Sequence, residues 1–265
     1  MSRRGFFSER RRRRALRRAP FPDEWRRLLD ANVVHWRVLG PADRALLEDM
    51  IVRLLVDKRW EAARGFELTD EIQVTIAAQA ALLVLGIGYE AYRGVGTIIV
   101  HPTTLALTGE RAGPVAGTRT DGPLAVLGVA HYDGPVIIAW DSARAGARHP
   151  ERGHNVVYHE FAHKIDMLDG IVDGTPPLER REQLRRWVDV CTAEYDALRN
   201  GTDDGLLGRY ATVNPAEFFA VATEVFFDLP IALETAKPDL YGVLRDFYRQ
   251  DPAAVARRDA LPDAG

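Results

Sequence analysis

Between Asn155 and Leu168 the apolar residues Val156, Val157, Phe161, Ala162, Ile165 and Leu168 surround two histidines and a glutamate, in the order His159-Glu160-Phe161-Ala162-His163. The apolar spacing predicts a well-packed helix over about 155–168. On such a helix His159 and His163 lie one turn apart and project from the same face, with Glu160 beside them. Two imidazoles buried together need partners, and the rest of the chain must bring those partners to them. Hydrogen bonds within a core would satisfy a lone histidine. For the full His-Glu-x-x-His pattern, seven histidines in 265 residues make a chance match on the order of a percent, so a shared metal ion is the stronger reading. Zinc takes four ligands, of which catalytic sites leave one to water, so a third protein ligand must come from elsewhere.

Composition narrows where that ligand can come from. The single cysteine, Cys191, excludes an intrachain disulfide and any multi-cysteine zinc knuckle, so the site must be built from histidine and carboxylate. With 46% hydrophobic and 28% charged residues the chain reads as an ordinary globular sequence with a substantial core. No apolar run approaches the ~18 residues of a membrane span, and the N-terminus has charge without an apolar signal core, so a cytoplasmic protein is expected.

The net charge of −3 conceals an asymmetry. Residues 3–18 carry nine arginines against Glu9, which leaves a formal charge of −11 on the rest. Such an arm can contact nucleic acid or anionic lipid, yet a solvated arm needs neither. No zinc-finger spacing, RNA-stacking signature or second basic helix accompanies it, so the solvated arm over 1–20 is preferred. Residues 21–265 are expected to form one domain, because no convincing linker divides them.

In the N-terminal half, Asp23 suits a helix cap ahead of Trp25, Leu28 and Leu29, and Pro41 suits the first turn of the next helix. Leu46, Leu47, Met50, Ile51, Leu54 and Leu55 form its apolar stripe, to about Lys58. Thr69 or Asp70 can open a third, central helix through Leu85, in which Gln73, Thr75 and Gln79 are read as internal or solvent-facing groups. Thr97 to His101 and Pro135 to Trp140 read as short strands, with a further candidate at Leu124 to Tyr132 and a Gly/Thr-rich excursion at 108–123. The glycine pairs at 86–88 and 94–96 lack a phosphate-cradling pattern. The expected fold is α+β, mostly helical, with a small β-sheet beside the metal-binding helix.

After the loop at Gly170 to Pro177, an amphipathic helix is expected over about 178–198, and a second from Asn214 to about Phe227, with Asn214 as cap and Pro215 at the first helical position. That second helix offers two carboxylates seven residues apart on roughly one face, Glu217 and Glu224. Glu217 also sits where a capping box would turn it back on Asn214, and Glu224 could instead orient a histidine. Asp166, one turn beyond His163, has the same supporting option. Spacing leaves the third ligand open.

His159-Glu160-Phe161-Ala162-His163-Lys164-Ile165-Asp166, followed by Tyr210 and by Asn214-Pro215-Ala216-Glu217-Phe218-Phe219-Ala220, resembles the MtfA family of bacterial zinc peptidases, named for titrating the glucose repressor Mlc. The resemblance extends to Gly134-Pro135-Val136, Trp140-Asp141 and Asp173-Gly174-Thr175-Pro176. It implies a zincin-like metallopeptidase fold and Zn2+ held by His159, His163 and Glu217, with Glu160 as general base. Tyr210 matches a tyrosine that the family shares in placement with the catalytic domain of anthrax lethal factor, where it would donate to the oxyanion. The implied activity is aminopeptidase-like hydrolysis of short peptides. An Mlc-like transcriptional repressor is the implied partner, and sequestering such a factor is the alternative function. By analogy with zincins, the strand ending at Trp140 is a candidate edge for an extended peptide.

Overall fold

The computed structural model describes residues 16–17, 19–63, 65–106, 111–112, 119–120, 125–126, 134–202 and 204–260. Helices dominate around a small parallel sheet, the expected α+β class. The chain enters through α1 (Asp23–Asn32) and a short α2 (Val34–Val38), the latter unanticipated. Asp23 is the first helical residue of α1 rather than its cap, and its carboxylate pairs with Arg26 at 2.7 Å.

α3 (Pro41–Asp57) starts on its proline, whose missing N–H costs nothing there. Its six expected apolar positions span about half the helix circumference at 100° per residue, with Leu46 and Leu55 at the two edges. The contact with the core covers the middle of that arc: Leu47, Met50, Ile51 and Leu54 are buried, whereas Leu46 is 42% exposed. α4 (Asp70–Leu83) is capped by Thr69, whose Oγ1 accepts from the Ile72 N–H, and is buried almost throughout. Gln79 Nε2 donates to the carbonyls of Thr75 and Ala143, and Asn32 Nδ2 to Thr75 Oγ1, so these polar residues are structural.

Three parallel strands form the sheet, in the order β1 (Arg59–Ala62), β2 (Thr97–His101), β3 (Val136–Ala139), with Trp60, Ile98 and Val136 in register. The third strand is therefore β1, not the candidate at Leu124 to Tyr132. Of that candidate only Ala125–Val126 is described, in a separate antiparallel pair with Leu105–Ala106. Arg-Trp-Glu-Ala alternates polar and apolar over four residues only, too short a run to announce a strand; pairing along β2 supplies its backbone partners, a tertiary effect beyond propensity. The basic arm lies outside the described residues except at 16, 17, 19 and 20, where Arg17 pairs with Asp57. The 108–123 excursion lies outside them too, apart from a short pairing of Arg111–Ala112 with Arg119–Thr120.

α5 (Trp140–Arg148) leads to α6 (Val156–Asp166), which carries the two histidines and packs on β3, α4 and α8 (Pro215–Asp228). Lys164 on α6 donates from Nζ to the Gly134 carbonyl at 2.8 Å, just ahead of β3. The sheet thus lies beside the histidine helix, as expected. Between α6 and α8 runs the amphipathic α7 (Arg181–Asn200), and α9 (Pro230–Ala236), α10 (Pro238–Tyr248) and α11 (Pro252–Ala260) complete the body. Every residue of α6, and of α8 from Ala216 to Asp228, is buried. Trp187, Phe219, Phe247 and Tyr248 pack edge-on or stacked beneath α8 and fix it against α7 and α10. Among the described residues no helix is long and apolar enough to cross a membrane.

Candidate metal centre

Asn155 starts the histidine helix by accepting from the N–H groups of Val157 and Tyr158 at 3.1 and 3.2 Å. The helix holds the His159 and His163 rings edge to face, with Nε2 atoms 3.2 Å apart. Asn214 caps α8 in the same manner, its Oδ1 accepting from the Glu217 N–H at 2.9 Å. The Glu217 carboxylate points away from that cap and toward the histidines. Its Oε2 lies 3.0 Å from His159 Nε2 and 3.4 Å from His163 Nε2. The cap and the site thus use different parts of Glu217, backbone for one and side chain for the other.

These three atoms form a near-equilateral triangle. For a tetrahedral ion with bonds of about 2.05 Å, ligand atoms should be separated by about 3.3 Å, which is the edge the triangle has. Glu217 Oε2 is buried yet makes no hydrogen bond of acceptable geometry, and His163 Nδ1 is likewise unpaired. A buried oxygen facing two nitrogen lone-pair positions without a proper hydrogen bond fits a cation among them, and His159, His163 and Glu217 are the group that could hold one.

Glu224 is the other carboxylate considered as a ligand, and it occupies a different position. Its Oε1 accepts from His159 Nδ1 at 2.7 Å and its Oε2 from the Asn155 N–H at 2.6 Å. It holds the outer edge of the imidazole and the first turn of the histidine helix together. Asp166 does not reach His163; its Oδ2 accepts from the Gly174 N–H at 3.0 Å, and burial pushes its carboxyl up to about 6. The clamp on Asn155 and the contact to Gly174 join backbone N–H groups distant in sequence, and no side-chain pattern announces either.

Burial opposes charge on His159, but the carboxylates of Glu217 and Glu224 beside its two ring nitrogens outweigh it and hold the imidazole well above its ordinary pKa. Burial would raise Glu217, but the two imidazoles facing its carboxylate outweigh that and hold it well below the carboxylate range. Metal binding at Nε2 would require the neutral imidazole, so it would be coupled to release of a proton. Glu160 is 1% exposed, its Oε2 has no partner, and burial raises its pKa. Tyr210 lies in a 3₁₀ turn (Arg209–Thr212) just ahead of α8, with its ring 5.9 Å from that of His159. It remains 42% exposed, and burial of its hydroxyl followed by the charge of Glu217 raises the phenol above its ordinary value.

Two histidines and a glutamate around a common point, on two buried helices, are the metal-holding arrangement of a metallopeptidase, and comparison with known proteins bears out that class. The family described as glucose-regulated metallo-peptidase M90 matches residues 7–249, and the chain belongs to it. An uncharacterized protein of Synechocystis sp. is 34% identical, with 91% of this chain and 89% of the relative covered. Mlc titration factor A of Serratia proteamaculans is 30% identical over 83% of this chain and 86% of the relative. Mlc titration factor A of Pectobacterium atrosepticum is 32% identical, covering 82% of each.

Proposed function

We propose that the chain is a zinc peptidase in which His159, His163 and Glu217 hold the metal and Glu160 moves the proton. The triangle of Nε2, Nε2 and Oε2 atoms with 3.0–3.4 Å edges carries this reading. Two nitrogen donors and one carboxylate donor in so compact a triangle would suit zinc. When bound, zinc would lower the pKa of a water molecule to about 7 and polarise the scissile carbonyl. Glu160 takes the proton from the attacking water and delivers it to the leaving amine; burial raises its pKa above the ordinary carboxylate value, which strengthens it as a base. Tyr210 donates its O–H to the oxyanion of the tetrahedral intermediate. Glu224 accepts from Nδ1–H of His159, which leaves the Nε2 lone pair for the metal.

Short peptides are the substrates, with aminopeptidase action and a cytoplasmic setting as the finer reading. Glu160→Gln is expected to keep zinc while hydrolysis falls by about 10²–10⁴-fold. Wild-type turnover in that variant would remove Glu160 as the base. The name Mlc titration factor A, printed for relatives at about 30% identity, favours a second activity: binding of an Mlc-like repressor. Glu160→Gln should leave that binding intact, and a variant that loses hydrolysis and repressor binding together would contradict two separable functions.

A further inference from the structure

We propose that Asp166, Gly174 and Trp187 form a strut that sets the spacing between the two ligand-bearing helices, which makes them positioning residues for the metal. This inference rests on the metal reading of His159, His163 and Glu217.

Glu217 must arrive within about half an ångström of its place for three ligand atoms to share one ion. It comes from a helix far along the chain from His163, so contacts between α6 and α8 have to define its position. Beside the direct packing of α6 on α8 and the Glu224 clamp, the loop after α6 adds contacts to both helices at a single residue. The Gly174 N–H donates to Asp166 Oδ2 at 3.0 Å, which ties the loop to the last residue of the histidine helix. The Gly174 carbonyl accepts from Trp187 Nε1–H at 3.2 Å. Gly174 has φ +77°, and a Cβ there would overlap the carbonyl oxygen of Pro215, in the first turn of α8 and two residues before Glu217.

Trp187 closes the bracket from the other side. Its ring meets Phe219, two residues after Glu217, at 5.6 Å in an edge-to-face contact. Glu217 therefore lies between two points of α8 that are both referred, through Gly174 and Trp187, to the end of α6. Asp166 and Trp187 are 0% and 2% exposed, so solvent does not loosen these bonds. A loop whose role was only to connect α6 to α7 would need neither the left-handed backbone at Gly174 nor two buried side chains bonded to that one residue.

A merely structural strut would change folding stability and leave metal affinity alone, so the test reads both. The zinc dissociation constant of the full chain is measured by competition with a chromophoric chelator, alongside thermal unfolding of the metal-free protein. Asp166→Ala, which removes the acceptor, and Trp187→Phe, which keeps an aromatic ring but removes the N–H, are expected to weaken zinc by about 10–100-fold, the effect typical of partners that orient ligands. Asp166→Asn keeps an oxygen to accept from Gly174 and should restore affinity to near wild type. Gly174→Ala should be the most damaging, through both overlap and strain. Folded Asp166→Ala and Trp187→Phe proteins that bind zinc like the wild type, whatever their melting temperatures, would overturn the strut alone. Wild-type protein that binds no zinc would overturn the metal reading and the strut with it.

Discussion

α8 supplies a carboxylate to two histidine groups, one on α6 and one on α2, and the contrast between them shows what separates a metal site from a structural histidine. At the front, His159 and His163 meet Glu217 at 3.0 and 3.4 Å. At the back, His35 on α2 lies 3.5 Å from Asp228, with Tyr158 of α6 and the carbonyl of Phe227 completing its surroundings. His35 Nε2 faces that carbonyl at 3.0 Å and must donate to it, which leaves Nδ1 to accept from the Tyr158 hydroxyl. His159 has the opposite tautomer when neutral, because Glu224 requires Nδ1–H and frees Nε2. The charges differ in the same sense. Burial lowers His35 and raises Asp228, so the back pair is held neutral, whereas the front pair is held charged. Burial alone is thus no sign of function; the direction in which a ring nitrogen is left free decides it.

Each of the two groups has a phenol beside it, and the largest effect that separates them is expected there. Tyr210→Phe at the front should lower turnover by about 10²–10³-fold with zinc content unchanged. Turnover equal to wild type would show that the exposed phenol does no more than the buried Tyr158. Next in size, Glu224→Ala should weaken zinc by about 10–100-fold. Glu224→Gln should do no better, since an amide that still accepts from the Asn155 N–H presents its own N–H to His159 Nδ1 and forces the wrong tautomer. Asp228→Asn, four residues on, should leave zinc affinity within about twofold; a larger loss would join the two groups into one.

The smallest effect is a difference in pH slope. Asp228 has a folded-state pKa above its unfolded value, so its contribution is fully present at low pH and is lost as pH rises through the folded value. Denaturant unfolding from pH 4 to 8 should show wild type losing stability relative to Asp228→Asn as pH rises. A gap that stays flat would mean Asp228 is ionised in the fold and paired after all.

Much of this contrast was open to reading in the sequence, and the unread part has a physical cause. Asn155 and Asn214 are side-chain caps one residue ahead of their helices, so the start of α6 and of α8 could be placed closely. The convergence of His159 and His163 follows from helical geometry alone. Glu217 and Glu224 are seven residues apart, nearly two full turns, so both face α6, and only the offset of one helix along the other decides which of them meets Nε2 and which meets Nδ1. That offset is a tertiary quantity. The same holds for β1, whose four residues become a strand through pairing with β2, and for Asp166, whose partner is a backbone N–H in a loop. His35 and Asp228 carried no motif at all.

The central claim is that Glu217, and not Glu224, completes the metal site. Elemental analysis of purified full-length protein tests it most directly. Wild type should contain one zinc ion per chain, and Glu217→Ala should contain almost none after dialysis against a weak chelator. Stoichiometric zinc retained by Glu217→Ala would contradict the account and move the third ligand to Glu224.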